Sequence, residues 1–294
     1  MTVVAGLWLP HTSSVDFCEA NYLLDYRVAE PFNAITSLAF ISLPPVLGLL
    51  YSNPLNETRF RLQYWVMIIC GVGSALLHGT LKATFQASDE LPMLYMNTLF
   101  LFTFIDLPAR AYSGSALHGL SMHIQPLRPV LPVAMFSLAA LQTVLYFHTQ
   151  QVYAVFIVTY SLLVALIVLL SHHFAKSDPL LSWLFWRSIL SYLVVGFGLW
   201  VLDMQCSEGL KVLYASLSPW TGGMTLHVVW HFGASLGTFL EVLFLIKLRS
   251  LYVEGTSSRL DLRWLPEGRG FFPVLIGVPA DQAKAKAKGK GKRS

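Results

Sequence analysis

The chain has 294 residues, of which 55% are hydrophobic and 12% are charged. A soluble domain carries about 25% charged residues, so this composition excludes a cytosolic enzyme and a disordered chain. The formal net charge of +4 is no sign of a nucleic-acid partner, because six basic residues lie among the last eleven. The composition indicates a polytopic helical membrane protein.

Apolar stretches long enough to cross a bilayer recur along the chain. We predict an all-α fold of seven transmembrane helices, at about 33–51, 63–80, 91–108, 129–148, 152–173, 187–204 and 222–247. These runs are continuous, whereas a β-barrel would show short alternating segments. We expect no cleavable signal peptide, because the apolar run at 3–10 is too short and no basic residue precedes it.

The distribution of lysine and arginine predicts the orientation of the chain. If the N-terminus is outside, the outer segments hold only Arg27, Lys82 and Lys211, and the inner loops and tail hold the other 17 basic residues. Cytoplasmic loops carry the basic excess, so the N-terminus is predicted to be lumenal. The predicted parts are a lumenal segment at 1–32, a seven-helix domain at 33–250 and a basic cytosolic tail at 251–294, with a solvated lysine-rich end.

Polar residues inside predicted spans are costly and therefore indicate function. Ser74 and His78 are four residues apart near the lumenal end of the second span, and His227 and His231 are four apart where the seventh begins. Each pair projects from one helical face. Asp89 stands at the start of the third span. Since successive spans alternate in direction, all five residues fall in the same membrane leaflet.

Three histidines at one depth match the protein ligands of a catalytic zinc ion, whose fourth position stays open for water. Histidines at i and i+4 on a helix suit one metal ion. The alternative for each of His78, His227 and His231 is a packing residue held by a hydrogen bond. The serine and the aspartate at the same depth favour the metal site.

A second polar cluster precedes the first span. Asp16, Glu19, Asn21 and Glu30 place three carboxylates and an amide within fifteen residues. These oxygens could wrap a hard cation such as Ca²⁺, although the spacing is not that of an EF-hand. The alternative is an acidic, solvated segment.

The three cysteines fall in different places. Cys18 precedes the first span and Cys206 follows the sixth, so both are predicted to be lumenal, where disulfides are permitted. A bridge between them is topologically allowed. It would tie the acidic segment to the loop before the seventh span. Cys70 lies in mid-span and is expected to be a small buried apolar residue.

Six stretches resemble the alkaline ceramidase family, in the expected order. They are Asp16-Phe17-Cys18-Glu19-Ala20-Asn21-Tyr22, Ala29-Glu30-Pro31-Phe32-Asn33, Ser74-x3-His78-Gly79-Thr80-Leu81-Lys82, Asp89-Glu90-Leu91-Pro92-Met93, Cys206-Ser207-Glu208 and His227-x2-Trp230-His231. A wider superfamily of seven-span membrane hydrolases, which includes the progestin and adiponectin receptors, shares the Ser, His and Asp set. The acidic N-terminal stretch and the Asp-Glu-Leu-Pro-Met stretch point to the ceramidase branch.

The resemblance implies an intramembrane zinc amidase of the endoplasmic reticulum or Golgi. Its substrate would be ceramide, dihydroceramide or phytoceramide, split into a sphingoid base and a fatty acid by a zinc-bound hydroxide. His78, His227 and His231 would be the zinc ligands. Ser74 and Asp89 would be the supporting catalytic pair.

The resemblance also implies a calcium site and a disulfide. Its ligands would be the side chains of Asp16, Glu19, Asn21 and Glu30 and the backbone carbonyl of Phe17, where the family usually has Trp. Cys18 and Cys206 match the family's cysteines, so we predict that they are bridged. Tyr160 resembles a family tyrosine that faces the oxyanion.

The hypothesis assigns a role to each catalytic side chain. Asp89 accepts a proton and passes it to the leaving amine, while Ser74 helps to hold the oxyanion. A nucleophilic Ser74 is the rival interpretation, but it needs a base, and the nearby imidazoles would be occupied by metal. A seven-span receptor of the progestin or adiponectin type, an ester-lipid hydrolase of the same superfamily and a non-catalytic lipid transporter also remain open.

Overall fold

The protein is mostly helical in the residues that the computed structural model describes, which are 6–149, 153–253, 259–265 and 272–278. The main helices are α1 (Pro31–Tyr51), α2 (Thr58–Thr80), α3 (Ala83–Ile105), α4 (Leu117–Thr149), α5 (Tyr153–Ala175), α6 (Pro179–Gln205), α7 (Glu208–Thr221) and α8 (Leu226–Tyr252). A short 3₁₀ turn, Ala109–Tyr112, lies between α3 and α4. The strands β1 (Arg259–Leu265) and β2 (Phe272–Val278) follow.

Each of the seven predicted spans coincides with a helix. Within the described ranges, six helices (α1, α2, α4, α5, α6 and α8) are long and apolar enough to cross a membrane, which indicates an integral membrane protein. The third predicted span corresponds to α3, which has 23 residues but carries Gln86, Asp89, Glu90 and Asn97. These polar side chains lower its hydropathy. The third predicted span, the total of seven spans and the orientation of the termini therefore stay predictions.

Several helices begin before their apolar runs. The third span was predicted from residue 91, yet α3 begins at Ala83, because Gln86 and Glu90 are buried against protein rather than exposed to lipid. The helix α6 begins at Pro179, whose fixed φ suits a first helical turn. Just before it, the Asp178 carboxylate accepts the backbone N–H groups of Leu180 and Leu181.

The helix α8 is the centre of the bundle. Its most hydrophobic stretch is 67% buried, the highest fraction among the six candidate spans. Glycine allows α6 to approach it closely, since a Cβ on Gly233 would lie 2.6 Å from the backbone nitrogen of Gly196. A Cβ on Gly73 of α2 would likewise lie 2.1 Å from the carbonyl oxygen of Ser88 in α3. Each of the two helices that carry the histidines is thus packed closely against a neighbouring helix.

The region after α8 corrects the prediction of an all-α fold ending in a basic tail at 251–294. The strands β1 and β2 pair antiparallel, and Leu260 and Leu275 are buried. The ring of Phe272 lies 4.5 Å from that of Phe239 in α8, and the Leu275 N–H donates to Ser52 Oγ at 2.9 Å. The first strand alternates apolar and other residues and the second is a short apolar run, and the spanning-length criterion passes over both. The lysine-rich residues 284–293 lie outside the described residues.

A network of ion pairs joins the helix ends opposite the histidines. The Asp106 carboxylate lies 2.7 Å from Arg59, 2.9 Å from Arg128 and 3.2 Å from Arg249. Glu57 lies 2.7 Å from both Arg59 and Arg249. Asp106 directly follows α3, so these ion pairs connect the end of α3 with α2, α4 and α8. They stabilise this end of the bundle.

Candidate metal centre and its cavity

Three histidines from two helices meet inside the bundle. His78 comes from the last turn of α2, and His227 and His231 come from the first two turns of α8. The three rings are 1% to 2% exposed, with centroids 4.7 to 5.1 Å apart. One ring nitrogen of each lies within 4.8 Å of the others. The structure thus brings together the predicted zinc ligands.

Two of the rings are oriented through their Nδ1 atoms. His78 Nδ1 lies 2.6 Å from Glu30 Oε2, and His231 Nδ1 lies 2.9 Å from Thr36 Oγ1. Nδ1 of His227 is buried without a hydrogen-bond partner in the described protein. Metal-binding histidines commonly have their second nitrogen held by a carboxylate or another oxygen, which fixes the ring.

The donor set fits a divalent transition metal. Three imidazoles in close contact suit zinc, and three protein ligands rather than four are the pattern of a catalytic site. The buried, unpartnered nitrogen of His227 fits the same interpretation, because such a group is costly without a partner. Among the described residues, these histidines form the group of three or more His, Cys, Asp or Glu side chains with metal-binding spacing.

The two residues of the predicted catalytic pair contact each other, and Ser74 lies one helical turn before His78. Ser37 Oγ donates to Ser74 Oγ at 3.1 Å, and the Ser74 side chain hydrogen-bonds the Asp89 carboxylate. The Cys70 thiol is 3.7 Å from Asp89 Oδ1. The expected role of Cys70 was packing alone, so its contact with Asp89 is an addition. Ser37 and Thr36 escaped the sequence analysis because single hydroxyl residues in an apolar run carry no distinctive pattern.

His227, His231 and Asp89 line one cavity within the bundle. The cavity runs between α2, α3, α5, α6 and α8, and apolar side chains form most of its wall. Tyr160 lines it as well, with its hydroxyl hydrogen-bonded to that of Tyr192. The structure therefore places Tyr160 in the same cavity as the metal centre, while its role toward an oxyanion stays a prediction.

The N-terminal segment covers the histidines. The Phe17 ring lies 4.7 Å from the His78 ring and 4.3 Å from the His227 ring. Glu19 accepts the backbone N–H groups of Phe32 and Asn33 at 2.7 and 2.8 Å, which satisfies the first turn of α1. The side chain of Phe17 thus packs directly on two proposed metal ligands.

The acidic residues of this segment are linked mainly through protein donors. Glu30 accepts the Phe17 N–H at 3.2 Å and the Asn33 side-chain amide at 3.0 Å, and Asn21 donates to Asp16 at 3.3 Å. These residues do not reach the mutual ligand spacing that the three histidines have. The structure therefore brings the predicted calcium ligands into one segment without forming a closed set of ligand atoms.

Burial nevertheless disfavours the ionised form of two carboxyl groups beside the metal centre. Burial raises the pKa of Glu19 to about 7, and the neighbouring Glu30 and Asp203 carboxylates add to this increase. Burial also raises the pKa of Glu30 to about 8, with a further contribution from Asp16. Carboxyl groups raised in this way are those that a bound cation would return to the ionised form.

A disulfide and a buried aspartate fix the start of α8. Cys18 and Cys206 are bonded, with their Cα atoms 5.3 Å apart. Tyr214 of α7 donates to Asp203 Oδ1 at 2.5 Å and accepts the Leu226 N–H at 3.2 Å. Asp203 lies at the end of a predicted span, and as an intramembrane carboxylate it could have been noticed in the sequence. The helix α7 was not predicted.

The fold and the site define a helical membrane protein with a buried three-histidine centre at one end of an apolar cavity. The family model for Ceramidase matches residues 9–275. The chain therefore belongs to the ceramidase family.

Full-length similarity to individual ceramidases agrees with this membership. Alkaline ceramidase 3 of Mus musculus is 29% identical over 257 residues, which cover 84% of this chain and 88% of the relative. Alkaline ceramidase of Arabidopsis thaliana is 24% identical over 286 residues, covering 96% of this chain and 98% of the relative. Alkaline ceramidase YPC1 of Saccharomyces cerevisiae is 44% identical, but over 93 residues that cover 31% and 29% of the two chains.

Proposed function

We propose that the protein hydrolyses the amide bond of ceramide-type lipids inside the membrane and releases a sphingoid base and a fatty acid. The observation that carries this proposal is the buried three-histidine group at one end of an apolar cavity, in a chain of the ceramidase family. A cavity with apolar walls suits long lipid chains, and the polar residues at its end suit an amide.

His78, His227 and His231 would hold a zinc ion in this scheme. Zinc bound by three imidazoles lowers the pKa of a water molecule from 15.7 to about 7 and polarises a carbonyl oxygen. Glu30 and Thr36 hold the rings of His78 and His231 in place through Nδ1. The two imidazole rings are thereby held in a fixed orientation and need not reorient during the reaction.

Asp89 is the residue that moves the proton. Its carboxylate takes a proton from the attacking water as the water oxygen bonds to the amide carbon, and it gives a proton to the amide nitrogen as the C–N bond breaks. Ser74, supported by Ser37, hydrogen-bonds and orients this carboxylate. A nucleophilic Ser74 is not favoured, because its hydroxyl contacts Asp89 and another serine rather than an available imidazole.

We propose in addition that calcium binds the N-terminal acidic segment. The support is chemical: Asp16, Glu19, Asn21 and Glu30 offer oxygen ligands, and burial raises the pKa of Glu19 and Glu30, so a bound cation would stabilise their ionised forms. A calcium ion would stabilise the segment that carries Phe17 over the histidines. It would take no part in the chemical step.

The proposed reaction is tested with purified protein in detergent and a panel of substrates. Ceramide, dihydroceramide, phytoceramide and a diacylglycerol are supplied separately, and free base and free fatty acid are both measured. We expect equal amounts of base and fatty acid from at least one of the three amide lipids, and little fatty acid from the ester. Fatty acid from the ester alone would favour an ester-lipid hydrolase, and no product from any lipid would favour a receptor.

A further inference from the structure

The cavity continues beyond the metal centre, and its lining there includes polar as well as apolar side chains. Its lining includes His231 near one end and Asn97, Ser171 and Glu241 along the rest of its length. Glu241 follows His231 by ten residues in α8, which corresponds to about 15 Å along a helix. Asn97 follows Asp89 by eight residues in α3, or about 12 Å. Both helices begin at the histidine end, so Asn97 and Glu241 lie at similar depths.

These polar residues are buried where an apolar wall would suffice for packing. Glu241 is 6% exposed, and its Oε1 accepts the Ser171 hydroxyl at 2.6 Å. Asn97 is 5% exposed, and its side-chain Nδ2 has no hydrogen-bond partner in the described protein. An intramembrane carboxyl group and an unpaired amide donor are both costly, and such residues commonly face a cavity or serve function. The proposed reaction at the histidines uses neither of them.

We propose that Asn97, Ser171 and Glu241 form a polar floor that limits the length of the lipid chain lying along α8. The inference rests on the proposed function, because it assumes that a lipid chain enters this cavity from the metal centre. A chain that ends above the polar floor leaves the small exposed parts of Asn97 and Glu241, which are 5% and 6% exposed, in contact with water in the cavity. A longer chain would press methylene groups against an amide and a carboxyl group and remove that water.

The free-energy cost of removing water from these polar groups determines which chain lengths are disfavoured. Removing water from a buried polar group without replacing its hydrogen bonds is unfavourable, and an apolar atom supplies no replacement. The polar floor therefore penalises chains long enough to reach it. Asn97 and Glu241 are in this account specificity-determining residues, which act on substrate length and leave the chemistry at Asp89 unchanged.

The test measures chain-length profiles with the purified full-length protein. One series varies the acyl chain of ceramide from hexanoyl through lauroyl to stearoyl, and a second varies the sphingoid base at constant acyl length. The variant Asn97→Leu with Glu241→Met makes the floor apolar at similar side-chain volume. Glu241→Gln keeps a polar group at the same position and serves as its comparison.

We expect the wild-type kcat/KM to fall for the longest chains in one of the two series. The apolar variant should raise the long-to-medium ratio of kcat/KM in that series by roughly tenfold, the range that pocket contacts with one or a few methylenes provide. Glu241→Gln should keep the wild-type preference. Zinc content and melting temperature establish that each variant is folded, and the single variant Asn97→Leu replaces the double variant if that fails to fold.

Several results would overturn the polar floor. One is an unchanged long-to-medium ratio of kcat/KM in both series when Asn97→Leu with Glu241→Met is folded. Another is a change of that ratio in Glu241→Gln as large as the change in the apolar variant. A wild-type profile that rises steadily with chain length in both series would also contradict it. If the wild-type protein releases no base from any ceramide, the proposed function itself fails, and this outcome is distinct from a profile that is present but unaltered.

Discussion

The Oε2 atom of Glu30 lies 2.6 Å from Nδ1 of His78, and both side chains are almost completely buried. Glu30 is a proposed calcium ligand, and His78 is a proposed zinc ligand. The contact therefore joins the acidic N-terminal segment to the metal centre through one hydrogen bond. The same carboxylate also accepts the Phe17 N–H, and the ring of Phe17 packs on His78.

Glu30→Gln is expected to weaken the zinc site without removing a ligand. Loss of a carboxylate that orients a metal-binding histidine typically costs 10–100-fold in metal affinity or activity. Competition with a chromophoric chelator measures the affinity. Glu208→Gln is the matched control, since that side chain is 87% exposed and pairs with Lys211 on the protein surface. Equal zinc affinity in wild type and Glu30→Gln would contradict the coupling.

Substitution of any proposed zinc ligand should remove both metal and activity. We expect about one zinc per chain in the wild-type protein and a large loss in His78→Ala, His227→Ala and His231→Ala, because each substitution leaves only two ligands. Elemental analysis of the purified proteins measures this. The exposed His123→Ala serves as the control. Full zinc retention in all three ligand variants would exclude this site.

Asp89→Asn should keep the metal and lose most of its turnover. An amide cannot accept the proton, and general acid–base catalysis typically contributes 10²–10⁴-fold. Ser74→Ala should lose less, because Ser74 supports the carboxylate and the oxyanion but transfers no proton. Steady-state kinetics with parallel zinc analysis separates the two effects. A covalent acyl group on Ser74, found by mass spectrometry during turnover, would refute this assignment of roles.

Removal of calcium should make stability fall as the pH rises. Glu19 and Glu30 have pKa values of about 7 and about 8 in the fold against 4.5 as the reference, so the folded state binds more protons between these limits. Stability is then greatest at the acidic end and is lost as the pH rises from about 4.5 to 8. Melting temperatures with a calcium-selective chelator and with excess calcium measure this.

Bound calcium should make the stability depend less on pH, because calcium stabilises the ionised carboxylates of Glu19 and Glu30. Turnover should fall on chelation while zinc stays bound. The proposed calcium site loses its support if melting temperature and turnover are the same with chelator and with calcium throughout this pH range.

The disulfide between Cys18 and Cys206 is expected in protein made through the secretory pathway. It closes a loop with a sequence separation of 188 residues, and disulfides contribute typically 2–4 kcal/mol to stability. Unreduced peptide mapping should find the linked peptides, and the double variant Cys18→Ser with Cys206→Ser should melt at a lower temperature. Two free thiols in unreduced protein would contradict both the bridge and the predicted lumenal placement.

The sequence predicted the histidine centre because its signal is local and chemically specific. His227 and His231 share a helical face by spacing alone, and the alternation of spans brings His78 to the same end. Asp89 was placed there by the same argument. The contact between Glu30 and His78 could not be predicted, because it depends on how the segment before α1 folds back onto the end of α2.

Other features escaped prediction because their signals are weak or mixed. The hairpin of β1 and β2 was missed because its strands of seven residues are shorter than a span. The amphipathic helix α7 was missed for the same reason, because its 14 residues are fewer than a span requires. Asp203 and Glu241 are ionisable residues inside predicted spans, so the rule that identified Asp89 applies to them as well. What the sequence could not supply is their partners, Tyr214 and Ser171.

The central claim is that the three histidines hold a zinc ion needed for hydrolysis of a ceramide amide. The most direct test measures base and fatty acid released from ceramide by one preparation before zinc removal, after removal and after zinc is restored. We predict equimolar products, loss of both on removal and recovery of both with zinc, and no recovery in zinc-treated His231→Ala. Undiminished release of base and fatty acid from protein shown by elemental analysis to be free of zinc would contradict the account.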